Sequence, residues 1–268
     1  MSLTTLPFNL PDYPAISLVM ILVFSLIASQ IIFKLTYLLP RLLFKPQATQ
    51  IRVLLRPLRH VFKPGTRWHQ KSYLLQRLIF WQKSLQPLND QRARQLKRIE
   101  IISLLIPLLS MLIFNDLTST LVATVLGWWL LLSAEIDQEH KLLLDSLTLP
   151  LVWLGLLANI MFEWVTLEQA VLGAAFGYLL LWIVYQLHFA ITKREGMGYG
   201  DFKLTAALGA WVGLQNLPLI LIIAAMIALF ISLWQRWRYN GQLNCMMPFG
   251  PSLAMAGWVI ILLVMLAT

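Results

Sequence analysis

Leu217–Trp234 reads LPLILIIAAMIALFISLW, eighteen residues without a charge. A helix needs roughly 20 apolar residues to cross the hydrocarbon core of a bilayer, and fewer when neighbouring helices shelter it. Applied along the chain, that criterion finds eight candidate spans, at roughly 14–33, 99–114, 118–136, 147–163, 169–191, 203–215, 217–234 and 249–267. The fold class is therefore an all-α polytopic membrane protein of about eight transmembrane helices. Composition agrees: 59% of the 268 residues are hydrophobic and 12% charged, where soluble domains carry roughly 45–50% and about 25%. A soluble enzyme, a disordered tail and a secreted disulfide scaffold are excluded. Cys245 is the one cysteine, so neither an internal disulfide nor a multi-cysteine metal site can form.

The 21 Lys and Arg residues outnumber the 12 Asp and Glu, and their placement decides what that surplus means. Fifteen lie between Lys34 and Arg98; the others are Lys141, then Lys193, Arg194 and Lys203, then Arg236 and Arg238. The intervening segments hold none. Basic loops stay cytoplasmic, so this alternation predicts both termini on the periplasmic side and the active face inside, and no role in binding nucleic acid. The first basic residue follows the first span instead of preceding it, unlike a cleavable signal, so residues 1–33 read as an N-out anchor. Residues 34–98, with fifteen basic residues against the single acid Asp90, read as a cytoplasmic loop. Leu74, Leu78 and Trp81 recur there at helical spacing, which fits either a surface helix on anionic lipid or a helix packed on the protein's own cytoplasmic face.

Carboxylates at the edge of a membrane are the first candidates for chemistry. Two clusters stand out: Glu135-Ile136-Asp137-Gln138-Glu139-His140 at the end of the third span, and Gly196-Met197-Gly198-Tyr199-Gly200-Asp201-Phe202-Lys203 at the start of the sixth. The topology puts both at one depth on one face, although 64 residues separate Asp137 from Asp201. Two facing carboxyls can share a proton, since both cannot ionise readily at close range. One then serves as general base toward water while the other, protonated, polarises a carbonyl. Gly198 and Gly200 would free the backbone at that turn and admit a substrate strand. They do not form a phosphate loop, because no strand precedes them and the glycine spacing is wrong.

The run Ile136 to Pro150 resembles the first signature of the prepilin peptidases, and Glu195 to Leu204 with Leu208-Gly209-Ala210-Trp211 resembles their G-x-G-D signature. Pro248-Phe249-Gly250-Pro251 is similar to the motif that opens their last span. The resemblance covers about residues 118–268 and implies a transmembrane aspartic peptidase domain over 99–268. It implies a bacterial inner-membrane endopeptidase that cuts the leader from type IV prepilins or type II secretion pseudopilins at the cytoplasmic face. Asp137 and Asp201 take the catalytic positions, with Gly198, Gly200, Asp145 and Lys203 in support, although Asp145 could equally cap the helix that follows it.

Several positions depart from the family pattern. Glu135 stands where an apolar side chain is usual, and reads as a helix-end group or an acid that tunes the pair. Leu144 replaces a frequent proline. Relatives carry two Cys-x-x-Cys pairs in the first cytoplasmic loop, a zinc signature; this chain has none, so no zinc is expected. Proteolysis needs no cofactor, whereas S-adenosylmethionine would serve only if N-methylation of the new terminus is retained. A presenilin-like or preflagellin peptidase shares the site type. From a different class, a transporter or secretion-assembly subunit would use such carboxylates for ion or substrate binding, although relays place them nearer the bilayer centre. His140 has no partners at metal spacing, His188 reads as a packing residue, and Trp128, Trp129, Trp164 and Trp234 read as packing or interface anchors.

Overall fold

The computed structural model describes residues 15–43, 90–193, 198–238 and 248–268, and these are entirely helical apart from short connections. The elements are α1 (Ala15–Leu43), α2 (Asp90–Ile113), α3 (Leu117–His140), α4 (Asp145–Phe162), α5 (Leu167–Thr192), α6 (Tyr199–Arg238) and α7 (Gly250–Ala267). All but α2 are long and apolar enough to cross a membrane, so the protein is a polytopic helical membrane protein. The stretch Leu74–Trp81 and Cys245 lie outside the described residues.

Local chemistry sets the helix ends. Asp116 caps α3, its Oδ2 accepting from Ser119 N–H at 2.6 Å. Burial works against its charge, but the Ser119 bond holds its carboxyl below the ordinary range. Thr166 caps α5 in the same way, accepting from Gln169 N–H at 3.4 Å. Lys141, Glu163 and Lys193 close α3, α4 and α5 in the left-handed conformation (φ 53, 54 and 55), a common way to end a helix.

The forty residues of α6 are two helices. As one rod they would run about 60 Å, twice the hydrocarbon thickness of about 30 Å. Gly213, at φ 76 and ψ 172, occupies a region that only glycine reaches without strain, and there the chain turns back. Leu221 packs with Leu181, Tyr185 and Phe202, which it could not reach if the rod were straight. The sequence places the boundary between its sixth and seventh spans at 216; the backbone reverses three residues earlier, at the position that can adopt the required angles.

That reversal frees carbonyls inside the protein, where unsatisfied backbone groups are strongly unfavourable. Asn159 on α4 answers them: its Nδ2 donates to Ala210 O at 2.8 Å and Trp211 O at 3.4 Å, and its Oδ1 accepts from Val165 N–H at 3.1 Å. Asn216 Nδ2 donates to Val212 O at 3.0 Å. Asn159 is 2% exposed, so water cannot substitute for it. Asn159→Leu should therefore destabilise the fold by about 2–4 kcal/mol, from one or two orphaned groups at roughly 1–3 kcal/mol each. A thermal melt in detergent reads this directly, and an unchanged midpoint would refute the account.

The core gathers α3, α4, the first half of α6 and α7 around Leu126, Leu130, Leu151, Leu208, Val212 and Leu253. Against it, α5 lies close enough on α6 that Gly177 leaves no room for a side chain beside Thr205 O, the small-residue contact common in membranes. The indoles join helices as well: Trp129 Nε1 donates to Leu147 O at 3.1 Å and Trp128 Nε1 to Ser103 O at 3.0 Å. These two tryptophans are thus packing residues, not interface anchors. Trp164 stacks on Phe162 and Trp211, and Trp234 pairs with Trp237 on an exposed face of α6. His188 is exposed on α5 and is not packed; its Nδ1 lies 3.3 Å from Thr192 Oγ1.

Candidate active site

Asp137 lies in the last turn of α3 and Asp201 in the first turn of α6. Both are nearly closed off, 6% and 7% exposed, and each is within electrostatic reach of the other. The fold therefore brings together the two acids that the sequence singled out.

Each is held by backbone. Asp137 Oδ2 accepts from Gly250 N–H at 3.0 Å, at the first residue of α7. A Cβ at Gly250 would sit 2.5 Å from that oxygen, so glycine is what lets α7 end against the carboxylate. Asp201 is three residues into α6 from Gly198. Its N–H donates to Gly198 O at 3.2 Å, and the Gly198 backbone N–H favours its carboxylate.

The glycines of this turn work differently from the sequence expectation. Gly200 does not have a positive φ. A Cβ at Gly198 would meet only Asp201 Oδ2, at 3.8 Å, whereas one at Gly200 would lie 2.5 Å from Leu143 Cβ. Gly200 is thus a point of close approach between the start of α6 and the segment after α3.

Asp145 and Lys203 pin the same two segments together, with Nζ 2.6 Å from Oδ1. Asp145 does not cap α4: Leu144 is the N-cap residue and has no side-chain bond. Both partners are partly exposed, so the pair contributes at most about 1 kcal/mol.

Glu135, two residues before Asp137, is only 3% exposed and neither snorkels nor faces the acid pair. Arg98 Nη2 donates to its Oε2 at 2.9 Å and its Oε1 at 3.1 Å, and Gln95 Nε2 donates to it at 3.3 Å. Tyr37 OH in turn donates to Gln95 Oε1 at 2.5 Å. His140 Nε2 lies 3.1 Å from Thr36 O. This network ties the end of α3 to α1 and α2. The sequence shows each polar group but no signal that pairs them. Among the described residues no group of three His, Cys, Asp or Glu side chains could hold a metal ion.

Residues 124–233 match the model of the type IV leader peptidase family. A protein of Aeromonas hydrophila named prepilin leader peptidase/N-methyltransferase is 44% identical over 168 residues, 62% of this chain and 58% of the relative. Proteins of the same name from Dichelobacter nodosus (47% identical; 60% of this chain and 56% of the relative) and Xanthomonas campestris pv. campestris (48%; 52% and 48%) align similarly. The chain thus spans about half to three-fifths of these relatives' length. No solved structure matches. The resemblance carried by the two aspartate motifs holds over residues 124–233, which match the type IV leader peptidase family.

Proposed function

We propose that the protein is an aspartic endopeptidase that removes the leader of type IV prepilins or type II secretion pseudopilins. Its peptidase unit is residues 99–268, with both termini periplasmic, in the bacterial inner membrane, and it acts at the cytoplasmic face. The observation that carries the reading is the buried pair Asp137 and Asp201, delivered by two helices far apart in sequence. One carboxylate takes a proton from water, the resulting hydroxide attacks the scissile carbonyl, and the protonated partner stabilises the oxyanion. Collapse expels the amine, which receives the proton. Gly250 and Gly198 N–H groups hold the two carboxyls in place meanwhile. Lys203 and Asp145 steady the turn from which Asp201 projects.

N-methylation is a separate matter. Among the described residues, a strongly polar cavity beside the end of α3 is lined by Arg92, Arg94 and Arg98, with Glu139 as its lining carboxylate. Its guanidinium-rich lining, Arg98 being paired with Glu135, offers a sulfonium cation no anionic seat beyond Glu139, so this cavity does not fit S-adenosylmethionine. Mass spectrometry of a co-expressed prepilin's N-terminus tests the proposal. Loss of the leader is expected, and an intact leader in the presence of folded, inserted protein would sink it. A further 14 Da on the new terminus would report methylation independently.

A further inference from the structure

The helices α1 and α2 each carry a proline in their interior, Pro40 and Pro107. Proline has no N–H, so the carbonyl four residues back loses its helical donor. Those carbonyls are Thr36 O and Ser103 O, on residues that are 0% exposed. Inside a membrane protein a freed carbonyl must be answered by a neighbour. Here α3 answers both. His140 Nε2 lies 3.1 Å from Thr36 O, and Trp128 Nε1 donates to Ser103 O at 3.0 Å. A carbonyl can only accept, so His140 Nε2 carries the hydrogen. The Tyr37 ring stands edge-on to the His140 ring, their centroids 6.2 Å apart, which limits rotation of the imidazole.

The two contacts differ in their distance from the chemistry. Trp128 lies nine residues before Asp137, about 13 Å along the helix axis. His140 lies three residues after it, within the same turn. That turn is closed by Lys141 N–H on Asp137 O at 2.8 Å, and helix ends are where fraying begins. On the other side of Asp137, Glu135 is fixed to α2 through Arg98. Asp137 therefore sits between two anchors, one on each of the helices α1 and α2. Both of those helices lie outside residues 124–233, which the family model matches, so this anchorage comes from another part of the chain.

We propose that His140 is a positioning residue for Asp137. By donating to the carbonyl that Pro40 frees, it locks the last turn of α3 onto α1 and holds the Asp137 carboxylate against Gly250 N–H. Its effect on cleavage rests on the peptidase reading above; the positioning itself does not.

The full chain in detergent is followed by three measurements: turnover of a prepilin below the melting temperature of every variant, hydrogen exchange at Gly250, and thermal melting. Pro251 has no amide hydrogen, so the Gly250 signal is readily isolated by mass spectrometry. His140→Leu should lower kcat on the order of tenfold, as a displacement of well under 1 Å at Asp137 would, and should speed exchange at Gly250. His140→Gln, whose amide nitrogen reaches nearly the place of Nε2, should restore both. Trp128→Phe strips Ser103 O in the same way, and should lower the melting temperature while leaving kcat and Gly250 exchange unchanged. Pro40→Ala returns an amide donor to Thr36 O. In that background His140→Leu should cost little melting temperature yet still lose turnover, which separates position from stability and keeps the test open if His140→Leu alone fails to fold. Wild-type turnover and Gly250 exchange in the Pro40→Ala, His140→Leu protein overturn the proposal. So does an equal loss of kcat in Trp128→Phe, or a melting loss from His140→Leu that Pro40→Ala does not relieve. If the unmodified chain cleaves no prepilin, the peptidase reading fails, and exchange at Gly250 decides the positioning alone.

Discussion

Asp137→Asn and Asp201→Asn are each expected to abolish leader removal, with a loss on the order of 10²–10⁴ or more for a positioned acid or base. The double variant should be no worse than either single one, because the two carboxyls act as a unit. Folding should survive. An asparagine at 137 keeps an oxygen to accept from Gly250 N–H, and one at 201 keeps an acceptor for Gly198 N–H. The substitutions therefore remove acid–base chemistry and retain the local bonding. Purified, inserted variants are assayed on a prepilin substrate in detergent; near-normal cleavage by either one rejects the catalytic assignment.

The second large effect is at Gly200. A side chain there must displace Leu143, whose Cβ is 2.5 Å and whose Cα and O are 3.3 Å from the position a Cβ would take. The backbone of Leu143 cannot swing away as a flexible side chain would, so the start of α6 moves, and Asp201 moves with it. A shift of about 1 Å at a reacting group can cost on the order of 10²-fold in rate, and Gly200→Val should lose at least that much. The cause can be separated from obstruction of the substrate. Leu143→Gly removes the Cβ that Gly200→Ala would strike, so the pair Leu143→Gly with Gly200→Ala should recover activity relative to Gly200→Ala alone. Failure to recover would point back to substrate approach.

The contrast at Gly200 shows what the sequence carries. The G-x-G-D spacing located the turn and the acid correctly, because motif and local backbone are short-range properties. The reason for the glycine is a contact 57 residues away, between Gly200 and Leu143, which no local pattern encodes. The apolar runs likewise located α3, α4, α5 and α7 within a few residues, since burial in lipid demands uninterrupted apolar sequence. The first two spans were the poorest matches: α1, expected to end at 33, runs to Leu43, and α2, expected from 99, begins at Asp90. The first ten residues of α2 are too charged for a hydropathy reading, yet they remain helical and pack against α1 and α3 through Gln95 and Arg98. Glu135 was misread for the same reason, because its partner lies 37 residues earlier on a neighbouring helix.

The break at Gly213 has a consequence for water. From Tyr199 to Val212 the first half of α6 has fourteen residues, a rod of about 20 Å in a hydrocarbon layer of about 30 Å. Its far end is fixed beside Val165 and Gln169, at the loop where α5 begins. Alongside it, Gly177 meets Thr205, which puts Asp201 level with about Leu181, while α5 continues to Thr192, roughly 16 Å further. The acid pair consequently sits well below the end of α5, at the level where α3 ends and α7 begins, with α5 as one tall wall. Where the leaflet follows α5 to its end, the proposed hydrolysis requires either a hydrated shaft or a locally thinned leaflet, and a shortened helix next to full-length ones is a geometry that favours thinning. The hydrophobic thickness of the surrounding membrane thus becomes a variable that sets how readily the reactant water arrives.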